Sequence, residues 1–306
     1  MRALICPRVS KLVWHEYFVH VLSSQVDRVV VEKYFDYSES WIQDVQRSRK
    51  IENIGASEYL IMDVNRVDIG DLDGDVYGFT HGGAYEPYDL EYKDSVCTEM
   101  EREFFPKYKR LFVATEHQRQ MVLSAYPELN NVRVTAFPYI DYLKMSPCPP
   151  DKDGCCYAGQ LNAAKGYDKI ELNPMVRPLR LETANTSRSE YVKMLGQHKS
   201  VVVPSRKETF GIVPVEAIQT YTVPLMPYRL SFPEIFGKAS EYEGWIDNGV
   251  EEAWSENGIN EGWLDNKIES SIAWANSLNH PQMVQVISSL YASLCSFIKN
   301  IDHRFI

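Results

Sequence analysis

Residues 201–216, Val-Val-Val-Pro-Ser-Arg-Lys-Glu-Thr-Phe-Gly-Ile-Val-Pro-Val-Glu, decide how this chain is read. Three consecutive β-branched residues, Val201 to Val203, predict a buried strand. Pro204 ends it, Ser205–Thr209 is a polar loop, and an apolar helix is expected from about Gly211. Pro214 fits the first helical turn, where a missing N–H costs little. Glu208 falls on the loop and Glu216 on the helix, on the face of Ile212 and Val213. Two carboxylates therefore bracket a helix N-terminus that carries a glycine. The N–H groups there suit phosphate, and carboxylates beside it suit sugar or ribose hydroxyls. The same spacing also fits a plain strand–loop–helix unit with two surface glutamates.

Outward from this stretch the pattern repeats. Strands are expected at Ala3–Cys6, Arg28–Val31, Tyr59–Met62, Val76–Phe79, Leu111–Ala114 and Val132–Ala136 in the first half, and at Cys155–Ala158 and Leu179–Thr183 in the second. Helices are expected over His15–Ser23, after Ser38, from Thr115, from Ser189 and from Pro281. Strands alternating with helices imply parallel sheets covered on both faces. Residues 145–154, rich in proline and charge, predict the linker. The expected division is 1–146 and 147–280, with the terminal helix, 281–306, returning to the first domain. Its stripe of Met283, Ile287, Leu290, Leu294 and Phe297 reads as core.

Composition sets outer limits. The chain has 306 residues, 44% hydrophobic and 24% charged, ordinary for a globular protein of one large or two medium domains. No apolar run is long enough to span a membrane, and the N-terminal stretch reads as a first strand rather than a signal peptide. Six cysteines without C-x-x-C spacing read as reduced packing residues of a cytoplasmic protein, with no metal centre. The net charge of −10 argues against broad, non-specific binding to nucleic acid, though not against a local basic groove. Residues 241–269 hold nine acidic side chains, one lysine, and Trp245, Trp254 and Trp263. That segment reads either as a surface insertion anchored by its tryptophans or as a binding lid.

Glu208-x7-Glu216, with Phe210-Gly211 between, resembles the E-x7-E element of retaining GT-B glycosyltransferases of the glycogen-synthase-like group. The run from Val223 to Phe236, Val-Pro-Leu-Met-Pro-Tyr-Arg-Leu-Ser-Phe-Pro-Glu-Ile-Phe, is similar more narrowly to the tRNA-queuosine mannosyltransferase branch. Tyr157-Ala-Gly-Gln-Leu-Asn-Ala-Ala-Lys-Gly166 resembles the group's first C-domain strand and phosphate loop, with Gln160 where the group usually carries arginine. The resemblance covers roughly residues 154–236.

It implies an α/β GT-B protein: two Rossmann-like domains with parallel sheets facing across a cleft. It implies a retaining, metal-independent transferase with no cofactor, whose substrate is a nucleotide sugar of UDP or GDP type. With His81 from the first half, the expected catalytic set is His81, Lys165 and Glu208; the resemblance implies that Glu208 contacts the donor sugar and Glu216 the nucleotide ribose. The donor-binding set is Gly82, Gly159, Gln160, Lys165, Arg206, Phe210, Gly211, Ile212, Val213 and Glu216.

The first half adds residues on its own evidence. Thr80-His81-Gly82-Gly83 follows a strand, where open α/β sheets place ligand sites. His81 is either a donor to the sugar or a structural histidine. His117 and Arg119 follow another strand end. Lys107, Lys109 and Arg110, with the cluster at 47–50, are basic enough to hold a nucleic-acid backbone, and equally fit solvated loops. The acceptor expected from the resemblance is a modified base in DNA or tRNA; a saccharide, lipid or small metabolite is the alternative, as is a binding module without turnover.

Overall fold

The computed structural model describes residues 1–6, 22–31, 49–64, 67–89, 92–135, 151–179, 188–237, 242–246 and 267–300. The chain divides into two units, Met1–Tyr142 with Ile301–Ile306, and Leu143–Asn300.

The first unit is a six-stranded parallel sheet. Its strands are β1 (Arg2–Cys6), β2 (Arg28–Val31), β4 (Glu58–Ile61), β6 (Asp75–Phe79), β7 (Arg110–Val113) and β8 (Val132–Val134), in the order β2-β1-β4-β6-β7-β8. A separate parallel pair joins β3 (Arg49–Lys50) to β5 (Val67–Asp68). The direction in which successive strands are added reverses between β1 and β4, which makes that the sheet's switch point. The four central strands bury nearly every residue, whereas the edge strands β2 and β8 are partly exposed: Ala3 and Ile5 of β1, Tyr59 and Ile61 of β4 and Leu111 and Val113 of β7 all lie in one core cluster. Burial on both faces is why these strands read as continuous apolar runs rather than alternating ones. Helices α1 (Ser95–Phe104) and α2 (Glu116–Ala125) follow β6 and β7. Asp94 caps α1 by accepting from Cys97 N at 2.9 Å, and Thr115 caps α2 by accepting from Gln118 N at 3.2 Å.

The second unit has four parallel strands, β9 (Cys155–Tyr157), β10 (Val176–Pro178), β11 (Ser200–Val202) and β12 (Val223–Leu225), in the order β10-β9-β11-β12. Its switch point is between β9 and β11. Around the sheet are α3 (Arg188–Gly196), α4 (Ile212–Gln219), α5 (Phe232–Phe236), α6 (Lys267–Ser277) and α7 (His280–Lys299). Lys152, buried at the entry to β9, donates to Thr220 O (2.6 Å) and Thr222 Oγ1 (3.1 Å) just past the end of α4. A cation there opposes the negative end of the helix dipole.

The structure differs from the expected elements at several points. The division falls at Tyr142–Leu143, ahead of the proline-rich run. Helix α7 is built into the second unit, not the first: Met283, Ile287, Leu290, Leu294 and Phe297 are buried, and the helix packs on α4, α5 and β12. Each such side chain contributes about 1.5–3 kcal/mol when buried. Asn279 and Gln282 form a reciprocal capping box at its start (3.1 and 2.9 Å). The strand expected at Leu179–Thr183 comes earlier, at β10. Val176 and Arg177 pair with β9, Leu179 is buried just beyond, and residues 180–187 lie outside the described residues. Of the helix expected over His15–Ser23 only Leu22 and Ser23 are described, and the helix expected after Ser38, with Trp254 and Trp263, lies outside the described residues. Trp245 is buried, its ring edge-on to Tyr228 and Tyr242, so that end of the acidic segment is anchored as the surface-insertion reading expects.

Candidate active site

In the second unit, two loops leave the carboxyl ends of neighbouring strands at the switch point. One follows β9 and carries Gly159, Gln160 and Lys165. The other follows β11 and carries Arg206, Glu208 and Gly211. Ligands of open α/β sheets bind at this position.

The first loop is a pair of 3₁₀ turns, Ala163–Lys165 and Tyr167–Lys169, joined at Gly166. Asn162 opens it: its side chain accepts from Lys165 N at 3.0 Å and donates to Gln160 Oε1 at 3.1 Å. Tyr157, the last residue of β9, donates its hydroxyl to Gln160 O at 2.5 Å. Gln160 is thus tied at both its backbone and its side chain. Gly166 has φ +70°, and a Cβ there would sit 1.8 Å from Pro204 O. Only glycine allows the two loops to touch at that point.

The second loop is pinned onto the first. Arg206 is 2% exposed, among the most buried of the large side chains. Its guanidinium grips Asp168 bidentately at 2.6 and 2.8 Å and donates to Ala163 O at 2.8 Å. Arg206 N and Lys207 N both donate to Ala164 O, at 3.0 and 3.1 Å. Arg206's hydrogen bond, with its charge, holds the Asp168 carboxyl below the usual aspartate range. The Arg206 side chain, expected to bind donor phosphate, joins the two loops through these bonds. Asp168 is a partner the sequence reading did not single out. A single acid two residues after Lys165-Gly166 is the only signal for it.

Lys165 and Glu208 meet across the junction. Lys165 Nζ donates to Glu208 Oε2 at 2.8 Å and to Lys207 O at 2.9 Å. Glu208 Oε1 accepts from Gly211 N at 3.2 Å, and Oε2 from Ser205 Oγ at 3.4 Å. Their side chains are 25% and 15% exposed, so the pair is shielded without being sealed. Gly211 is the N-cap of α4 with φ +91°, and a Cβ would approach Phe232 to 2.7 Å. Glu216, in the same helix, is 1% exposed. Neither glutamate is therefore a surface residue. Phe210, expected to bind the donor, has its ring buried against Phe297 of α7, with ring centroids 6.3 Å apart. Ile212 and Val213 are half-buried in the first turn.

In the first unit, Thr80–Ala84 follows β6 and Ala114–Gln118 follows β7. Buried Gln118 stitches them: its side chain donates to Thr80 O (2.9 Å) and Tyr85 Oη (3.0 Å) and accepts from Ala114 N (2.9 Å). Glu101, fully buried on α1, accepts from Ala84 N at 2.9 Å and from the Tyr126 hydroxyl at 2.6 Å. The loop bearing half-buried His81 and buried Gly82 is therefore held from two sides. Glu101 and Gln118 are supports that a sequence does not disclose, because burial of an acid or amide leaves no periodic signal. Burial pushes the His117 imidazole down to about 4, which keeps it neutral at neutral pH. Arg119 is paired with Glu116 at 2.9 Å.

Lys107, Lys109 and Arg110 stand at the other end of the sheet. Arg110 begins β7, whereas His81 and His117 follow the carboxyl ends of β6 and β7, about 10 Å away along a four-residue strand. Lys107 is paired with Glu103 (2.9 Å) and Lys109 with Asp75 (2.5 Å). A cavity of about 370 Å³ also opens there, lined by Ile69, Leu72, Asp75, Lys107 and Lys109 among others. It lies at the amino ends of the strands, away from the end where such sheets bind ligands. The structure thus does not gather these basic residues with the histidines. The cluster at 47–50 has no described side chains.

No family model matches the chain, and no curated protein matches it in sequence. Solved structures do match. HepE from Anabaena, solved in complex with UDP and glucose, aligns with a TM-score of 0.57 at 10% identity, covering 98% of each chain. Sucrose-phosphate synthase from Thermosynechococcus elongatus gives the same TM-score, 0.57, at 10% identity, again over 98% of both chains. TarM aligns with a TM-score of 0.51 at 12% identity over 80% of this chain, which spans only 52% of TarM's length. No helix among the described residues is long and apolar enough to cross a membrane. The two Rossmann-like units, each on a parallel sheet, and these likenesses together give the chain its place: it is an α/β protein of the GT-B fold.

Proposed function

We propose that this protein is a retaining glycosyltransferase that moves a sugar from a nucleotide-sugar donor to a hydroxyl acceptor. The observation that carries the reading is the Lys165–Glu208 pair beside Gly211 N–H at the switch point of the second unit. A cation and helix N–H groups suit the departing diphosphate, and a carboxylate beside them suits sugar hydroxyls. HepE, of the same fold, was solved with UDP and glucose. Lys165 and the amides of Gly211–Val213 supply the charge that a metal would otherwise provide, so turnover is expected to persist in EDTA. A front-face mechanism, in which the departing phosphate assists deprotonation of the acceptor, gives retention without a protein nucleophile. Incubation with isotope-labelled UDP- and GDP-sugars and an acceptor panel, with the product anomer read by NMR, tests the reading. Nucleotide binding without transfer to any acceptor would support the binding-module reading instead.

Glu216 is assigned to the nucleotide ribose. Losing a charge-assisted hydrogen bond costs about 1.5–3 kcal/mol, so Glu216→Ala should weaken nucleotide binding roughly ten- to a hundredfold. Calorimetry showing unchanged affinity in a folded variant would remove Glu216 from the site.

For the acceptor, the pairing of Lys107 and Lys109 with carboxylates favours a small hydroxylated molecule, such as a saccharide, over a base in DNA or tRNA. The net charge of −10 points the same way. Neutralising Lys107, Lys109 and Arg110 together should leave turnover within about twofold and the salt dependence of acceptor affinity unaltered. A weaker acceptor affinity with a flatter salt slope would restore the nucleic-acid acceptor.

A further inference from the structure

Glu208 uses the same two donors that the proposed function gives to a diphosphate. Lys165 Nζ reaches Glu208 Oε2 at 2.8 Å, and Gly211 N reaches Oε1 at 3.2 Å. Both oxygens of one carboxylate are engaged, on one side by a cation and on the other by the N-cap of α4. An arriving diphosphate must compete with an anion that is already there.

The carboxylate cannot retreat by the loop swinging away. Buried Arg206 holds the loop to Asp168 and Ala163, the amides of Arg206 and Lys207 hold it to Ala164, and Gly166 abuts Pro204. Glu208 can change partners only by rotating its own side chain. What it rotates towards then decides the outcome. A nucleotide sugar brings hydroxyls that take the carboxylate's hydrogen bonds, while its phosphates take Lys165 and Gly211 N–H. A nucleoside diphosphate brings no hydroxyl at that point, and it carries one more negative charge at neutral pH. The carboxylate then stays beside a like charge in a shielded site.

We propose that Glu208 is the residue that makes the donor site prefer an intact nucleotide sugar to the free nucleoside diphosphate, by competing with the diphosphate for Lys165 and Gly211 N–H. This rests on the donor-site assignment above and deepens it. The competition disfavours retention of the product and so favours its release.

The test is calorimetric titration of the wild type, Glu208→Gln, Lys165→Ala and the double variant. The probes are UDP and GDP against UDP-glucose, UDP-N-acetylglucosamine and GDP-mannose. The wild type should bind a nucleotide sugar more tightly than the corresponding diphosphate. Glu208→Gln should bind that diphosphate about tenfold more tightly than the wild type, because a like charge a few ångströms away is removed, and the nucleotide sugar more weakly. With Lys165→Ala in place the gain should fall to within about twofold, since the contested cation is gone. Thermal unfolding checks that each variant is folded, and Glu208→Ala serves if the glutamine variant is not. Unchanged or weaker diphosphate binding by a folded Glu208 variant overturns the inference and leaves the donor site standing, as does a wild type that prefers the diphosphate. A wild type that binds no nucleotide overturns both.

Discussion

Lys165→Ala is expected to lower kcat by about 10²–10³-fold, the loss that follows removal of one main charge-stabilising group from an active site. The negative charge of the leaving diphosphate grows as the sugar departs. A fixed cation therefore stabilises the transition state more than the bound donor. Lys165 is held for that task by Lys207 O at 2.9 Å, and by Glu208 at 2.8 Å until a donor takes its place. Gln160 cannot share it, being neutral and tied to Asn162 and Tyr157. Arg206 cannot share it either, its guanidinium being committed to Asp168 and Ala163. Donor KM should change much less than kcat. Lys165→Arg should recover little, because a planar fork does not replace a point charge between a carbonyl and a carboxylate. Steady-state kinetics with the cognate donor decide the matter. A rise in KM alone would make Lys165 a clamp on the bound donor rather than a catalytic group.

Gly166→Ala should cost the second unit about 2–5 kcal/mol. A left-handed backbone costs a residue with a Cβ about 1–2 kcal/mol, and overpacking adds typically 1–3 kcal/mol. The added methyl would meet Pro204 O at 1.8 Å and Pro204 C at 2.6 Å, both backbone atoms of the strand exit. Neither can swing aside as a side-chain tip does. The relief open to the chain is to part the two loops, which takes Lys165 away from Glu208. Calorimetry should show the unfolding transition lowered by roughly 4–20 °C, at about 2–4 °C per kcal/mol for a unit of this size. Nucleotide affinity should fall with it. A second glycine of the same unit gives the contrast: Gly154 has φ +64° with nothing near its Cβ site, so Gly154→Ala carries only the conformational cost. If Gly166→Ala and Gly154→Ala melt alike, the contact between the loops is not what requires glycine.

Much of the sheet was legible in the sequence. Strands β1, β2, β4, β6, β7, β8, β9 and β11 lie within one or two residues of where runs such as Ala3–Cys6, Val76–Phe79 and Val201–Val203 place them, because a strand buried on both faces must be apolar throughout. Short elements with mixed composition were not legible. β12, Val-Pro-Leu, contains a proline, and α5 is five residues long. Helix α1 was missed because its one buried acid, Glu101, breaks the apolar stripe.

By itself, the sequence determined that this is an α/β chain of two repeating halves, and that a strand, a polar loop and a helix bracketed by Glu208 and Glu216 form the stretch to test. Local pattern suffices for that, since period, turn residues and carboxylate spacing are properties of neighbours in the chain. Only the tertiary structure decided what each charged residue does. It turned Arg206 inward to Asp168, paired Lys165 with Glu208 across 43 residues, buried Phe210 under α7, and set Lys109 against Asp75 at the amino edge of their sheet. A charge has no periodicity. Its role follows from which group of opposite sign lies within a few ångströms, and that partner is chosen by the packing of distant segments.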